Sequence, residues 1–354
     1  MIYTNRNDLP HPWVVALKQN DYQKHGDFSA TELLGPTQAK ELISRHNDKI
    51  SVDVIKNIHM MSGSGLDYML GKAEVPGDHF NHQRFLFDYV CKGKEYVISF
   101  EPDYVYQSAL DEGWKNSNKY TLMDLKETQI YAVKHGPKLD WVKQLGIYWF
   151  GLTSGNNLRK LIVDSEGKTH MVPQPNIAID RMILSHRLKD WSYTEAYEKK
   201  LCETSDYPKC EIVTMDIQIP QKNSIINLLN DRIGIHSLAQ NLSDDKLPEC
   251  SPDERWLRNE KWVVQFIEGK QARRAVPKGG NFQTFEEALL FQQQREEKKK
   301  KKIDTEITFR PGVSIRCERF CTAAAFCHQR AKIKGEEMPK QTENTVVEKR
   351  ESPF

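Results

Sequence analysis

The chain has 354 residues, enough for one large domain or two modest ones with a sizeable apolar core. Its 51 Lys and Arg against 49 Asp and Glu leave a net charge of +2, which excludes any argument for a nucleic-acid partner from overall charge. A membrane partner is not expected, because no apolar run reaches the ~18 residues of a span and the first residues do not form a signal peptide. The expected location is therefore the cytoplasm.

The first sharp signal along the chain is a helix start within residues 28–34. Ser29 or Thr31 can cap this helix, and Glu32 in its first turn is favoured by the helix dipole. The same hydroxyl groups can donate to a DNA phosphate, so Ser29 and Thr31 are candidates for a backbone contact as well as for a cap.

A Gly-containing segment at residues 63–70 is expected to lead into an apolar helix with Asp67 near its start. An aspartate at that place can cap the helix or reach a metal ion. Both roles stay open from the sequence alone.

The middle of the chain alternates strand and helix patterns. One strand pattern leads into Pro102-Asp103, and a second, at residues 120–123, delivers Asp124 and Lys126. A helix predicted over residues 138–152 carries Gln144 and Tyr148 on one face, four residues apart. Further strands are predicted at residues 158–163, 177–184 and 211–220, and a helix at residues 222–241. Two carboxylates and one ammonium group are thereby expected at the ends of adjacent strands.

This group of side chains has the chemistry of a divalent metal site. Asp103 and Asp124 can share one or two Mg²⁺ or Mn²⁺ ions, with the Leu125 carbonyl as a further hard oxygen ligand. Such a metal lowers the pKa of bound water, and Lys126 can position that water and offset charge as a phosphodiester is hydrolysed. An Asp-x-Lys pattern alone is weak, and Gln144 can equally bond to a backbone group.

The cysteines form a second candidate site. Cys317, Cys321 and Cys327 lie close together in sequence, and Cys250 is the best candidate for a fourth ligand; Cys91, Cys202 and Cys210 are not expected to take part. Thiolates at these spacings can hold one soft metal centre, either an iron-sulfur cluster or Zn²⁺. Three buried free cysteines are the alternative.

These residues resemble the PD-(D/E)XK nucleases of the RecB type, and within them the phage and CRISPR-associated exonucleases with an iron-sulfur clip. The resemblance extends from Ser29 to about Cys327. It implies an α/β fold with a restriction-endonuclease-like core, a mixed sheet flanked by helices, and a helical, cysteine-clipped C-terminal region. It places Asp103, Asp124 and Lys126 on catalytic positions, Gln144 and Tyr148 on a Gln-xxx-Tyr motif, and the Ser29 helix start at the DNA.

The resemblance also implies a four-iron four-sulfur cluster on the cysteines. The chain departs from the family pattern at three places. Asp67 stands where such nucleases usually place a metal-binding histidine, His82 where many have glutamate, and Phe100 where relatives commonly have glycine.

The sequence thus predicts a nuclease core with an N-terminal DNA-contact segment over residues 1–240, a cysteine region over 241–332 and a disordered tail over 333–354. The expected function is a metal-dependent exonuclease acting on the ends of linear DNA in phage recombination or replication, in the host cytoplasm, together with a single-strand annealing or recombination protein. A DNA-end-binding recombination protein without turnover is the first alternative. A zinc-stabilised interaction module, with Asp124 and Lys126 as a surface salt bridge, is the second.

Overall fold

A computed structural model of the chain describes residues 1–18, 24–73, 79–108, 119–258, 260–268, 271–274, 282, 284–299 and 305–336. Within these ranges the side chains of residues 59, 60, 62, 67, 265–268, 271–274, 295–299 and 305 are not described. The chain divides into two units. The first comprises Met1–Lys40 and Asp48–Leu242, and the second comprises Glu41–Asn47 and Ser243–Phe354.

The α-helices, numbered in chain order, are α1 His11–Lys18, α2 Ala30–Leu34, α3 Thr37–Arg45, α4 Ile58–Gly71, α5 Ile130–Lys134, α6 Leu139–Ser154, α7 Leu201–Thr204, α8 Lys222–Ala239, α9 Phe285–Lys299 and α10 His328–Lys334. No helix in the described part of the chain is both long and apolar enough to cross a membrane.

The strands are β1 Ile2–Thr4, β2 Phe28–Ser29, β3 Ser51–Asp53, β4 His79–Asn81, β5 Phe85–Cys91, β6 Lys94–Phe100, β7 Tyr104–Gln107, β8 Tyr120–Thr128, β9 Asn156–Val163, β10 Thr169–Pro173, β11 Ile179–Leu188, β12 Ile212–Ile217, β13 Leu257–Arg258, β14 Lys261–Glu268, β15 Gln271–Arg274, β16 Thr305–Arg310 and β17 Val313–Ser314.

Two five-stranded sheets form the frame of the first unit. Their strand orders are β10-β9-β5-β6-β2 and β12-β11-β8-β7-β4. Each contains one parallel pair among antiparallel ones, β2 with β6 in the first sheet and β11 with β8 in the second. The expected α/β class with mixed sheets and flanking helices is confirmed.

The apolar core explains why α6 lies against the first sheet. Phe85, Phe87 and Phe100 on β5 and β6 are at most 3% exposed, and Tyr148 and Phe150 of α6 join the same core. The helix comes close to the sheet at Gly151, where a Cβ atom would lie 2.6 Å from Phe100 Cε1. The absence of a side chain there lets the helix, and with it Tyr148, approach the strand that leads to Asp103.

The second unit contains the three-stranded antiparallel sheet β15-β14-β16 and the cysteine segments. Residues 41–47 belong to it through the pairing of Arg45 and His46 with Asp244, at 2.8 and 2.6 Å, and through the stacking of His46 on Phe326, with ring centroids 4.3 Å apart. No local pattern predicts this pairing, because Asp244 lies 198 residues from His46 and Phe326 lies further still along the chain.

Two expectations about helix ends are corrected. Asp67 lies in the C-terminal half of α4, which already begins at Ile58 and continues through Gly63 and Gly65, so it does not cap that helix. The ordered chain also continues past residue 332, because α10 runs to Lys334 and ends at Gly335, whose φ is +65°. Residues 337–354 of the expected tail lie outside the described residues.

The close approach at Gly151 leads to a stability prediction. Gly151→Ala would force a methyl group against the Phe100 ring, so we expect the free energy of unfolding to fall by about 1–3 kcal/mol in denaturant titrations. The control is Gly63→Ala in α4, where no described atom lies within 4 Å of the added Cβ; it should gain about 0.5–1 kcal/mol from helix propensity. Equal stability of the two variants would contradict the packing argument.

Candidate functional site

Asp103 is held in place by the backbone of the strand that carries Asp124. Strand β7 begins at Tyr104, which pairs with Met123, so the ladder between β7 and β8 ends at that pair. One step further, the Leu125 N–H donates to Asp103 Oδ2 at 2.5 Å. The N–H and C=O of one strand residue point to the same side, so the Leu125 carbonyl also faces the side occupied by Asp103.

Asp124 and Lys126 lie on one face of β8, because side chains two apart in a strand share a face. The Lys126 ammonium is 2.5 Å from Asp124 Oδ2. Asp124 is 1% exposed, whereas the Lys126 side chain is 19% exposed. The pair is therefore a buried carboxylate covered by a partly accessible ammonium group, and not a surface salt bridge.

Gln144 and Tyr148, one turn apart on α6, bond to each other. Gln144 Nε2 donates to the Tyr148 hydroxyl at 2.5 Å. Burial raises the pKa of Tyr148 well above its ordinary value, and the negative charge of Asp124 adds to this; Asp103 and Glu101 contribute in the same direction, while the Gln144 hydrogen bond opposes them. The hydroxyl stays protonated and lies in the field of three carboxylates.

A cavity of about 210 Å³ opens beside this group. The residues that line it are Ser29, Ala30, Thr31, His82, Arg84, Ser99, Phe100, Glu101, Asp103 and Tyr148. The structure thus brings the expected DNA-contact residues Ser29 and Thr31 to the same cavity as Asp103 and Tyr148. Asp124 and Lys126 are not among the lining residues.

Ser29 also acts as a helix cap, as its alternative interpretation expected. Its Oγ accepts from the Glu32 N–H at 3.1 Å, and its own N–H donates to Glu32 Oε2 at 3.1 Å, which completes a capping box at the start of α2. The Thr31 hydroxyl lies 3.3 Å from Ser29 Oγ.

Two residues of α8 hold the other end of α2. Arg232 donates from Nε to the Leu33 carbonyl at 2.6 Å and from Nη2 to the Gly35 carbonyl at 2.5 Å. His236 Nε2 lies 3.1 Å from the same Leu33 carbonyl. His236 is fully buried, and burial lowers its pKa to about 4, assisted by the positive charges of Lys40 and Arg232. A neutral imidazole thus helps to place the helix that lines the cavity.

Glu101 and Arg84 are cavity residues that sequence reasoning missed. Arg84 Nε donates to Glu101 Oε2 at 2.8 Å. The sequence contains a signal for this pair in Lys92-Gly93-Lys94, which is typical of a hairpin turn. Lys92 and Gly93 both have positive φ and join Cys91 to its partner Lys94. Counting back along both strands from that turn places residue 84 opposite residue 101.

The three residues at which the chain departs from the family pattern, Asp67, His82 and Phe100, have different outcomes. Helix α4 packs against β8, but the Asp67 side chain lies outside the described residues, so its expected metal contact stays a prediction. His82 lines the cavity with a left-handed backbone, φ +45°, and its N–H donates to the Asp103 carbonyl at 3.2 Å. Phe100 stacks on Tyr148 with ring centroids 5.5 Å apart.

The donor set suits a hard cation. Carboxylate oxygens of Asp103 and Asp124 and the Leu125 carbonyl are the ligand types that Mg²⁺ and Mn²⁺ accept. Among the described residues no three His, Cys, Asp or Glu side chains are grouped to hold a metal ion. A magnesium site here would combine two carboxylates with a backbone carbonyl and water, which needs no third such side chain.

The four candidate cysteine ligands all belong to the second unit, but within the described residues no three of them are grouped closely enough to hold a metal ion. Gln329 on α10 clamps the Cys250 backbone, accepting from its N–H and donating to its carbonyl, both at 2.9 Å. Arg255 donates to the Cys250 carbonyl at 3.2 Å and to Ser314 Oγ at 2.6 Å, which ties the Cys250 turn to the strand before Cys317. Hydrogen bonds thus close the long gap between Cys250 and the other three cysteines.

The thiols share one electrostatic environment. Burial raises the pKa of Cys250 to about 12, and the charges of Glu254, Cys327, Cys317 and Cys321 add to this shift. Burial also raises the pKa of Cys317 and of Cys321. The thiols are near enough for their charges to influence one another's pKa, and a bound metal would supply the positive charge that makes thiolates favourable. Tetrathiolate ligation stays a prediction and suits iron-sulfur and Zn²⁺ equally.

Comparisons with known proteins add little to this picture. No family model and no curated protein matches the chain. The crystal structure of SSO0001 is similar to it with a TM-score of 0.38 and 15% identity, over 63% of this chain and 84% of that one. A likeness of that degree assigns neither fold nor function.

His236 makes a prediction about pH. The pKa of His236 is lowered from 6.5 to about 4 in the folded state. Between these two pH values the histidine therefore binds a proton in the unfolded chain but stays neutral in the folded one. The free energy of unfolding should therefore fall as the pH is lowered from 6.5 towards 4, with about 3 kcal/mol from this residue. His236→Gln should show a flatter pH dependence in denaturant titrations, whereas His135→Gln, at an exposed histidine, should follow the wild type.

The cysteine site makes a second prediction. Structural metal sites contribute on the order of 10 kcal/mol, so Cys250→Ser should lower the bound iron or zinc per chain and increase protease cleavage within residues 243–336. Cys210→Ser, at an exposed cysteine, should leave both quantities unchanged. If Cys250→Ser retains full metal content and protease resistance, Cys250 is not a ligand.

Proposed function

We propose that the chain is a metal-dependent DNA exonuclease of the PD-(D/E)XK type, with a restriction-endonuclease-like core, acting on linear DNA in phage recombination or replication. One observation carries the proposal. Asp103 is fixed by the Leu125 N–H at 2.5 Å, directly beside the segment that supplies Asp124 and Lys126. If Asp103 and Asp124 were unrelated surface charges, Asp103 would not be expected to bond to the backbone of β8, the strand that bears Asp124 and Lys126.

The proposed roles follow from the chemistry of each group. Asp103, Asp124 and the Leu125 carbonyl would hold Mg²⁺ or Mn²⁺, which when bound supplies an acidified water and neutralises phosphate charge. Lys126, which pairs with Asp124, offsets its negative charge and can donate to the attacking water or to a phosphate oxygen. The Tyr148 hydroxyl, fixed by Gln144 as an acceptor, has its own proton to donate to phosphate or water.

The cavity is the proposed entry for the DNA strand. Ser29, Thr31 and Arg84 place hydroxyl and guanidinium donors on its wall, the groups that contact phosphates without reading sequence. The charged residues of this wall are Arg84, Glu101 and Asp103, which together give it a net charge of about −1. Because a negative wall repels a phosphate, entry of the DNA strand should depend on the divalent cation.

The cysteine site is proposed to hold a four-iron four-sulfur cluster, with Zn²⁺ as the competing occupant. Its role would be to fix the C-terminal segment, since Cys250 and Cys317 belong to segments far apart in sequence. The proposed partners are DNA ends and a single-strand annealing or recombination protein, and the proposed location is the host cytoplasm.

One observation favours the DNA-end-binding alternative without turnover. Asp124 is 1% exposed and neither it nor Lys126 lines the cavity, so a metal would reach Asp124 only if Lys126 moved. This alternative keeps the cavity contacts with DNA but has no hydrolysis. The interaction-module alternative expects Asp124 and Lys126 to form a surface salt bridge, whereas Asp124 is 1% exposed; metal analysis and the visible absorption spectrum separate this alternative from the nuclease.

Asp103→Asn gives the sharpest test of hydrolysis. The amide oxygen can still accept from the Leu125 N–H, so the fold is retained while one metal-binding charge is lost. We expect release of nucleotides from end-labelled linear DNA, with Mg²⁺ or Mn²⁺, to fall at least about a thousandfold. Asp124→Asn and Lys126→Ala should lose a similar factor, with their folding checked by denaturant titration.

Asp216→Asn is the matched control, because this carboxylate lies on the same sheet with its side chain 70% exposed. It should cleave as the wild type does. Undiminished cleavage by Asp103→Asn would reject the assignment. Wild-type protein that carries its metals and binds DNA ends, yet releases no nucleotides, would establish the alternative, and circular DNA tests whether an end is required.

A further inference from the structure

Trp256 has a backbone conformation that a bulky side chain rarely adopts. Its φ is +53°, in the left-handed region, and 39% of the residue is exposed. For a large residue this conformation is a real outlier, and such outliers persist only where the surroundings impose them. A tryptophan kept there at the surface calls for an explanation beyond local folding, since asparagine or glycine would adopt the turn with less strain.

A tight turn presents the indole. The Ser251 N–H donates to Glu254 Oε2 at 2.9 Å, and the Glu254 N–H donates to Ser251 Oγ at 3.1 Å. The Trp256 N–H closes the turn on the Asp253 carbonyl at 3.0 Å. The Arg316 N–H then bonds to the Arg255 carbonyl at 3.1 Å, which joins the turn to the segment before Cys317.

The indole belongs to a stack of planar groups. The Arg316 guanidinium lies 4.6 Å from its ring centroid, and Phe320 meets it edge-on with centroids 5.3 Å apart. Phe320 is itself 52% exposed. Arg316 Nη1 donates to the Glu254 carbonyl at 2.9 Å, a neutral acceptor that fixes the guanidinium and leaves its charge in place.

Arginines cluster around this stack. Residues 253–260 and 316–319 contain Arg255, Arg258, Arg316 and Arg319 together with four acids, Asp253, Glu254, Glu260 and Glu318; Glu254 closes the Ser251 turn and Glu318 pairs with Lys334 at 2.9 Å. The pairing of β13 with β17 holds the first segment beside the residues that precede the second. Arg258 and Arg319 are exposed. We call Trp256, Phe320, Arg316 and these two arginines the Trp256 patch.

We propose that the Trp256 patch binds single-stranded DNA by stacking a nucleobase on the indole, with the arginines contacting the flanking phosphates. Exposed aromatic rings interleaved with arginines are what a single strand needs: the rings accept any base and the positive charges follow the backbone. An apolar protein partner would gain little from four arginines around two rings. The inference rests on the proposed function, because it assigns a second contact to the same DNA.

The test compares Trp256→Asn with Trp256→Phe in the full-length protein carrying its metal. Asparagine tolerates the left-handed backbone but cannot stack, so folding should be unchanged or improved while affinity for a fluorescent single-stranded oligonucleotide falls about 5- to 100-fold. Phenylalanine keeps a stacking ring and should retain most of the affinity. Trp13→Ala, at a tryptophan 48% exposed in α1, is the matched control and should bind as the wild type does.

A second measurement locates the base. An abasic site is placed at each position of the oligonucleotide in turn, and at one position it should lower the affinity of the wild type. At that same position it should leave the affinity of Trp256→Asn unchanged. Equal affinity of Trp256→Asn and wild type overturns the inference, as does an abasic effect that the variant retains at every position. Wild-type protein that binds but does not cut DNA rejects only the nuclease, and wild-type protein that binds no DNA rejects both.

Discussion

The hydrogen bond from the Leu125 N–H to Asp103 Oδ2 is the contact on which the candidate site depends. The pairing between β7 and β8 stops at Tyr104 and Met123, so the next N–H on that side of β8, that of Leu125, would have no partner in the ladder. A carboxylate takes that place. The same bond therefore completes the sheet and fixes an acid beside Asp124, so a substitution that removes the acceptor oxygen would alter folding and site geometry together.

The rest of the first unit serves to place groups around that bond. Helix α6 approaches the sheet at a glycine, which brings Tyr148 over Phe100 and the carboxylates. Helix α2 carries Ser29 and Thr31 to the cavity and is held at both ends, by its own capping box and by Arg232 with His236. The site is thus built from strand ends and short, firmly anchored helices, which suits chemistry that needs fixed distances.

Local patterns in the sequence predicted much of this arrangement. The period of two in β8 put Asp124 and Lys126 on one face, and the helical period in α6 put Gln144 with Tyr148, because both relationships depend only on neighbours in sequence. The pairing of Glu101 with Arg84 depends on the register between β5 and β6, and the turn at Lys92 sets that register. The depth at which Asp124 is buried depends on everything packed around it, and no local pattern encodes that. Helix α4 is longer than predicted because Gly63 and Gly65, where an added Cβ would meet no described atom within 4 Å, do not interrupt it.

The division of the chain has a consequence for its synthesis. Residues 41–47 belong to the second unit, and His46 meets Asp244 across a separation of 198 residues and stacks on Phe326 further on. During translation from the N-terminus, this short segment leaves the ribosome long before its partners exist. The second unit therefore cannot finish assembling until the segment that carries Phe326 has also left the ribosome.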